Sequence, residues 1–157
     1  MVPFRQILIA IDGSNTADKA LDEAIRLARF TGARLHLLHV VDELAYVNGF
    51  EPAMNYLNEI LPLMREAGER ILASGIAKAL AAGVQVEATN VVEGPGRLHE
   101  HVNAQAALVD ADLIVVGSHG RHGVGRALLG SDAEQVIRHA AVPVLVVKAA
   151  ELMQTRQ

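Results

Sequence analysis

The residues with the clearest chemical potential lie in a glycine-rich stretch from Gly117 to Ser131, which reads GSHGRHGVGRALLGS. An apolar run, residues 113–116, precedes it and a helical pattern follows it. Glycine permits turns at positive φ and close approach of a ligand, so several backbone N–H groups can point at one concave site. The Gly130-Ser131 pair opens a helix, whose unpaired N–H groups and dipole favour an anion. The stretch therefore predicts a phosphate-binding loop.

Two common phosphate motifs fit this stretch poorly. Residues 125–130 have Walker A spacing, but Ser131 and Asp132 stand where that motif requires Lys followed by Ser or Thr. Residues 94–96 and 123–125 each resemble half of a dinucleotide fingerprint without its third glycine. Neither a P-loop nor a Rossmann NAD site is predicted.

Several polar residues have a structural interpretation beside the functional one. Arg121 and Arg126 suit phosphate oxygens, because a guanidinium donates in pairs, but they could equally be solvated loop charges. Ser131 with Glu134 matches a Ser-x-x-Glu capping box, which stabilises a helix with or without a ligand. Asp12, after the first apolar run, either contacts the ligand or caps the next helix through a turn.

Metal binding and catalysis have little support in the residue pattern. The pairs His119–His122 and His99–His101 have metal-compatible spacing, but neither has an evident third ligand, so no metal site is predicted. Ser118 and His119 are adjacent, and neighbours on a turn rarely hydrogen-bond as nucleophile and base. A Gly-x-Ser-x-Gly nucleophile elbow is also absent from the sequence. We therefore predict no catalytic residue.

The composition of the 157 residues narrows the class of protein. Hydrophobic residues make up 51% and aromatic residues 3%, which is typical of a helix-covered parallel sheet with an aliphatic core. A net charge of -4 argues against nucleic acid as a partner. The lack of cysteine excludes disulfides and thiolate chemistry and fits a cytoplasmic protein. No signal peptide or membrane span is evident, so we expect no membrane partner.

Five short apolar runs alternate with helical patterns, which predicts one α/β domain over residues 1–157 with its core at about 5–148. The runs are residues 7–11, 35–41, 84–92, 113–116 and 142–147. Gly32 is expected to end the first helix, and Pro62 to kink or divide the second. Such alternation favours right-handed crossovers and a parallel sheet with helices on both faces.

Ligands of such sheets bind beyond the carboxyl ends of the strands, where the strand order reverses. This rule selects the ends of the first, second and fourth strands: residues 10–14, 39–42 and 117 onward. Residues 42–52 lack clear periodicity and are expected to form a lid or lip over that edge.

At these positions the chain resembles the ATP-binding branch of the universal stress protein family. The family's signature is Gly, two residues, Gly, nine residues, then Gly-Ser or Gly-Thr, and it is matched by Gly117, Gly120, Gly130 and Ser131. The resemblance also covers residues 7–14, 37–42, 112–117 and 142–147. It implies the adenine-nucleotide alpha-hydrolase-like fold, with five parallel strands in the order 3-2-1-4-5.

The resemblance also implies a nucleotide site and assigns residues to it. Ala10 and Asp12 would flank the adenosine, and the backbone of Val40 would hydrogen-bond the adenine. The loop residues would wrap the ribose and phosphates, and the start of the following helix would hold the terminal phosphates. The loop residues are Gly117, Ser118, His119, Gly120, Arg121, His122 and Gly123; the helix-start residues are Gly130, Ser131, Asp132 and Ala133.

One residue departs from the family pattern at the phosphate end. Asp132 follows the Gly-Ser pair where an apolar residue is frequent, and a carboxylate there repels a triphosphate unless Mg²⁺ intervenes or the side chain points away.

The function implied is that of a stress-response regulatory protein that binds ATP, or ADP or AMP, with or without Mg²⁺, as a homodimer formed through the last strand, Val142 to Val147. Two alternatives stay open. One is a slow ATPase that uses Asp12 or Asp132 to hold Mg²⁺, and the other is a structural dimer without ligand.

Overall fold

The structure, a computed structural model, describes residues 3–41, 56–119 and 129–148. Within these ranges strands and helices alternate along the chain. They are β1 (Gln6–Ala10), α1 (Asn15–Thr31), β2 (Arg34–Val40), a π-helical segment (Tyr56–Ile60), α2 (Leu61–Ala81), β3 (Val86–Val92), α3 (Leu98–Leu108), β4 (Leu113–Gly117), α4 (Ser131–His139) and β5 (Val144–Val147). None of these helices is long and apolar enough to cross a membrane.

The strands form one parallel sheet in the order β3-β2-β1-β4-β5, which confirms the predicted topology. The central strand β1 pairs with β2 from Gln6↔Arg34 to Ala10↔Leu38 and with β4 from Ile7↔Leu113 to Ile9↔Val115. Both faces of the sheet are covered, so in the three inner strands β2, β1 and β4 residues of either parity are buried and the sequence reads as nearly continuous apolar runs.

Two cores lie on opposite faces of the sheet. Ile7 and Ile9 point to the face covered by α1 and α2, where residues such as Leu21 and Leu72 complete the packing. Leu8 points to the other face, against residues of α3 and α4 such as Val136. The prediction of helices on both faces is confirmed.

The predicted helix ends hold, with one refinement. Gly32 ends α1 with φ of 77°, and its N–H donates to Ala28 O at 2.8 Å. Pro62 lies in the first turn of α2, where its missing N–H has no intrahelical partner to lose. The break predicted at Pro62 is therefore a change from a π-helical segment to an α-helix.

Two strands are shorter than the sequence predicted. The N–H of Val84 donates to Ala79 O at 3.0 Å, so Val84 belongs to the turn after α2 and β3 begins at Val86. Strand β5 begins at Val144 rather than Val142, because Pro143 has no N–H to give to the ladder. The Pro143 carbonyl still accepts from Ile114 N–H at 3.0 Å.

Candidate functional site

The carboxyl ends of β1, β2 and β4 lie next to one another at one edge of the sheet. Because β1 lies between β2 and β4, the residues Ala10, Val40 and Gly117 end three neighbouring strands. The chain places β2 and β3 on one side of β1 and β4 and β5 on the other, so the strand order reverses at this point. Ala10 and Val40 are half-buried and pack against the core beneath α3 and α4. The edge thus offers a small apolar surface between polar turns.

The turn from β1 into α1 is held by its own side chains. Gly13 has φ of 80°, a conformation that glycine adopts without steric cost. Asp12 Oδ1 accepts from the backbone N–H of Ser14 at 2.9 Å, and Ser14 Oγ accepts from Ala17 N–H at 3.1 Å. Ser14 is the N-cap of α1, and Asp12 supports it from a half-buried position at the end of β1. Asp12 therefore forms the predicted turn, but the cap of α1 is Ser14 rather than Asp12.

The glycine-rich loop leaves and rejoins the fold at a single point. Ser118 N–H donates to Val147 O at 2.8 Å, and Gly130 N–H donates to Ser118 O at 2.7 Å. A Cβ on Gly130 would stand 2.7 Å from that same carbonyl oxygen. A Cβ on Gly117 would stand 2.8 Å from Thr16 Cγ2. Glycine at 130 allows the backbone of Ser118 to come close, and glycine at 117 allows the side chain of Thr16 to do so, which brings the two ends of the loop together beside β4.

Helix α4 begins without a side-chain cap. Its N-cap is Gly130, and no described side chain accepts from its first turn. The capping box predicted for Ser131 and Glu134 is therefore wrong: Ser131 is the first residue inside the helix, and Glu134 instead pairs with Arg138 at 3.1 Å. The cause is the Gly130–Ser118 hydrogen bond, a tertiary contact that fixes the N-cap one residue earlier.

The first turn of α4 combines free donors with exposed side chains. Ser131 and Asp132 are exposed, whereas Ala133 is buried in the core and anchors the turn. The first N–H groups of a helix have no intrahelical acceptor, and here none of the described residues replaces one. Together with the helix dipole, these donors make the start of α4 able to hold an anion.

Helix α3 shows the opposite arrangement at its start. Glu100 Oε2 accepts from the backbone N–H of Arg97, the N-cap residue, at 2.8 Å. This hydrogen bond is the main reason that the pKa of Glu100 lies below its usual value. The start of α3 therefore already has its own carboxylate.

The Ser118–His119 pair differs from the sequence expectation. Ser118 Oγ and His119 Nδ1 are 3.1 Å apart, within hydrogen-bond distance, although adjacent residues rarely pair in this way. Ser118 is buried, and no carboxylate is paired with His119 among the described residues. The pair lacks the third group that orients the base in a catalytic triad.

Metal ligands are not gathered in the described ranges, which contain no group of three or more His, Cys, Asp or Glu side chains able to hold an ion. His99, which the sequence pairs with His101, instead stacks on His139, with the ring centroids 4.6 Å apart.

Some predicted site residues lie outside the described residues. They are Gly120, Arg121, His122 and Gly123, together with Arg126 and the segment 42–52 expected to form a lid.

Two residues next to the site were not predicted as site residues, although His39 lies within the selected strand end at 39–42. Thr16, buried in the first turn of α1, is the surface against which Gly117 packs. His39, also buried, lies one residue before the end of β2 and bonds to the carbonyl of Ile11 at 2.8 Å. The signal available in the sequence was the position of His39 next to the carboxyl end of a strand, because that edge carries the site.

Strand β5 forms an outer edge of the sheet and presents apolar side chains there. It pairs with β4, and in the described sheet no strand lies on its other side. Leu145 is 38% exposed and Ile137 of α4 is 43% exposed. An apolar edge strand of this kind is a surface on which a second chain can pair.

Comparison with known proteins agrees with this architecture. The model of the universal stress protein family matches residues 3–148. Universal stress protein YxiE of Bacillus subtilis is 35% identical over 150 residues, covering 92% of this chain and 99% of that protein. The crystal structure of a family protein from Burkholderia pseudomallei superposes with a TM-score of 0.74 at 34% identity, covering 95% of this chain and 99% of that one.

A third similar protein carries a ligand. The crystal structure of a universal stress protein in complex with cAMP has a TM-score of 0.65 and 26% identity, covering 94% of this chain and 99% of that one. On the match to the family model and to YxiE, this chain belongs to the universal stress protein family.

Proposed function

We propose that this chain is a stress-response regulatory protein that binds an adenine nucleotide at the carboxyl edge of its sheet without consuming it. The observation that carries the proposal is the uncapped start of α4, fixed beside β4 by the hydrogen bond from Gly130 to Ser118. An anion bound there completes a helix terminus that no described side chain completes. The cAMP complex of a related protein supports an adenine nucleotide as the source of that anion.

The adenosine would lie over the ends of β1 and β2. Ala10 and Val40 are half-buried and apolar, so a flat ring would pack against them at the edge of the core. The carboxylate of Asp12 stands at the end of β1, where an acidic side chain can accept from a ribose hydroxyl. The backbone of Val40 would provide hydrogen bonds to the adenine.

The phosphates would lie between the glycine-rich loop and α4. The N–H groups of Asp132 and Ala133 and the hydroxyl of Ser131 would hold the terminal phosphate, while Gly117, Ser118, His119 and the residues from Gly120 to Gly123 would wrap the rest. We propose ATP as the ligand, with ADP and AMP as shorter members of the same class. Asp132 is exposed in this turn, so its carboxylate can approach Mg²⁺ on the phosphates.

A homodimer through β5 would complete the regulatory unit. The unpaired outer edge of β5 and the exposed side chains of Leu145 and Ile137 support a second copy as the partner. Nucleotide binding at the loop would act on this edge directly, because Ser118 N–H donates to Val147 O at the last residue of β5.

The test begins with the purified protein. It is heat-denatured, and the supernatant is analysed by mass spectrometry for adenine nucleotide. The nucleotide-free protein is then titrated with ATP, ADP, AMP and cAMP, with and without Mg²⁺, by calorimetry. We expect release near one nucleotide per chain or saturable binding, and recovery of ATP unhydrolysed after incubation. Absence of both release and binding would contradict the proposal, and turnover that is lost in Asp12→Ala while binding persists would show an ATPase instead.

A further inference from the structure

Ile11, the residue between β1 and Asp12, is held by two hydrogen bonds with β2. Ile11 N–H donates to Leu38 O at 2.8 Å, continuing the ladder one residue beyond β1. The carbonyl of Ile11 bonds to Nδ1 of His39 at 2.8 Å. Because a carbonyl oxygen can only accept, Nδ1 of His39 carries the hydrogen. The main chain of Ile11 thus has both of its polar groups satisfied by β2, one of them by a side chain.

The ring of His39 is itself held in place. His39 is 8% exposed, and its Cδ2–Nε2 edge lies against helix α2 at Gly68. A Cβ added at Gly68 would stand 2.5 Å from Cδ2 and 3.1 Å from Nε2 of His39. Glycine at this position therefore allows the ring to reach the carbonyl of Ile11. Helix α2, although it begins far along the chain, takes part in the support of the β1–α1 turn.

The hydrogen bond between His39 and Ile11 lies next to the residues proposed to contact the nucleoside. Asp12 follows Ile11 directly, and its Oδ1 accepts from Ser14 N–H, while Ser14 caps α1. We infer that His39 is a positioning residue for nucleotide binding: it holds the β1–α1 turn so that Asp12 and the end of β1 face the adenosine, and it links that turn to α2. The link to the adenosine rests on the proposed function, whereas the hold on the turn does not.

A second histidine of β2 provides a matched control. His36 is also buried, 5% exposed, and its ring also makes one hydrogen bond, from Nε2 to Oε1 of Gln6 at 2.6 Å. It lies toward the amino end of β2, far along the strand from the site edge. A substitution of His36 removes one buried ring and one hydrogen bond from the same strand without touching the β1–α1 turn.

The first experiment needs no ligand. Amide hydrogen exchange is compared in nucleotide-free wild type, His39→Leu, His39→Asn and His36→Leu. Loss of the donor in His39→Leu should speed exchange of the amides from Ile11 to Ala17, because the turn loses its anchor. Asparagine can donate from Nδ2 near the position of Nδ1, so His39→Asn should restore protection. His36→Leu should leave these amides as in the wild type.

The second experiment measures binding in the same four proteins. An unpaired carbonyl and a mobile turn should weaken ATP binding by about tenfold in His39→Leu. Binding of inorganic tripolyphosphate, which has no nucleoside, should change less than twofold or so. His39→Asn should recover most of the affinity for ATP, and His36→Leu should keep it. Gly68→Ala, which pushes the ring, should weaken ATP binding in the same direction as His39→Leu.

The two readouts separate failure of the inference from failure of the proposed function. Unchanged exchange in the β1–α1 turn of His39→Leu overturns the positioning role, whatever the protein binds. Equal weakening of ATP binding in His39→Leu and His36→Leu overturns it as well, because the effect would then follow stability alone. A wild type that binds no nucleotide overturns the proposed function and the role toward adenosine, while exchange still decides whether His39 holds the turn.

Discussion

Helices α1 and α4 both begin at the carboxyl edge of the sheet with a serine, and the two serines are used differently. Ser14 is the N-cap of α1, and its Oγ accepts from Ala17 N–H. Ser131 is the first residue inside α4, exposed, behind a glycine N-cap that has no side chain to offer. The residue type is the same, but one hydroxyl is consumed by its own helix and the other is available to a ligand.

The difference arises from the residue before each serine. Gly13, at φ of 80°, turns the chain so that Ser14 Oγ can accept from a backbone N–H in the first turn of α1. Gly130 instead donates to the carbonyl of Ser118, so the N-cap of α4 lies one residue earlier than Ser131 and has no side chain to accept a hydrogen bond. A glycine N-cap costs a helix only about a few tenths of a kcal/mol relative to serine, so the start of α4 is slightly less stable than that of α1, and an anion bound there would stabilise it.

The largest expected effect comes from adding charge at the uncapped start. Ser131→Asp places a carboxylate where the terminal phosphate is proposed to bind, and like charges in contact should lower the affinity for ATP by about a hundredfold. The melting temperature without ligand should not fall, because an acidic side chain at a helix start is favourable. Calorimetry and thermal melting of the same sample check both expectations. Ser131→Ala serves as the control without charge, and a Ser131→Asp variant that binds ATP normally would show that the terminal phosphate does not bind at the start of α4.

The second prediction concerns stability, and here the serine of α1 should matter more than the serine of α4. Ser14→Ala removes the N-cap of α1 and should lower the free energy of unfolding by about 1 kcal/mol. Ser131→Ala removes no cap and should cost less than about 0.5 kcal/mol. Urea denaturation of the nucleotide-free proteins measures both. Equal losses would mean that the two serines act alike.

The topology could be predicted from the sequence because apolar runs alternate with helical patterns. Most helix and strand ends could be predicted because residues such as Gly32 determine the backbone locally. The start of α4 could not be predicted, since Ser131 and Glu134 match a capping box and only the contact between Gly130 and Ser118 decides against it. The role of His39 was likewise hidden, because its partners Ile11 and Gly68 are distant along the chain. Local sequence patterns predict helices and strands, whereas tertiary contacts decide whether a backbone N–H or a side-chain donor is free to bind a ligand.

A smaller effect should separate ligands at the start of α4. Asp132→Asn removes an exposed negative charge from the first turn, which should raise the affinity for ATP without Mg²⁺ by about threefold. The affinity for AMP should change less, because its single phosphate lies farther from this turn in the proposed arrangement. Titrations with and without Mg²⁺ check this expectation. An equal gain in affinity for AMP would mean that Asp132 repels any bound phosphate and not the terminal phosphate of ATP in particular.

The smallest expected effect concerns His36 of β2, which belongs to neither helix start, and it is a dependence of stability on pH. Burial lowers the pKa of His36, so its ring is neutral in the folded protein at neutral pH, and its Nδ1 has no partner among the described residues. The unfolded chain takes up this proton at about pH 6.5, so stability is retained above that value and falls as the pH drops below it.

His36→Gln keeps a donor for Gln6 and removes the titrating group, so it should reduce the loss of melting temperature between neutral and mildly acidic pH. Affinity for ATP at neutral pH should match the wild type. A variant with an unchanged pH response would show that the acid sensitivity arises elsewhere, including at the two helix starts.

Binding of phosphate at the start of α4 can be observed at individual backbone amides by nitrogen-15 NMR during titration with ATP. We expect ATP to shift the amide signals of Ser131, Asp132 and Ala133 strongly and adenosine to shift them little. The amide of Ala17, which donates to Ser14 Oγ, should change little with either ligand. Shifts confined to the start of α1, or no shift in α4 at saturating ATP, would contradict phosphate binding at the start of α4.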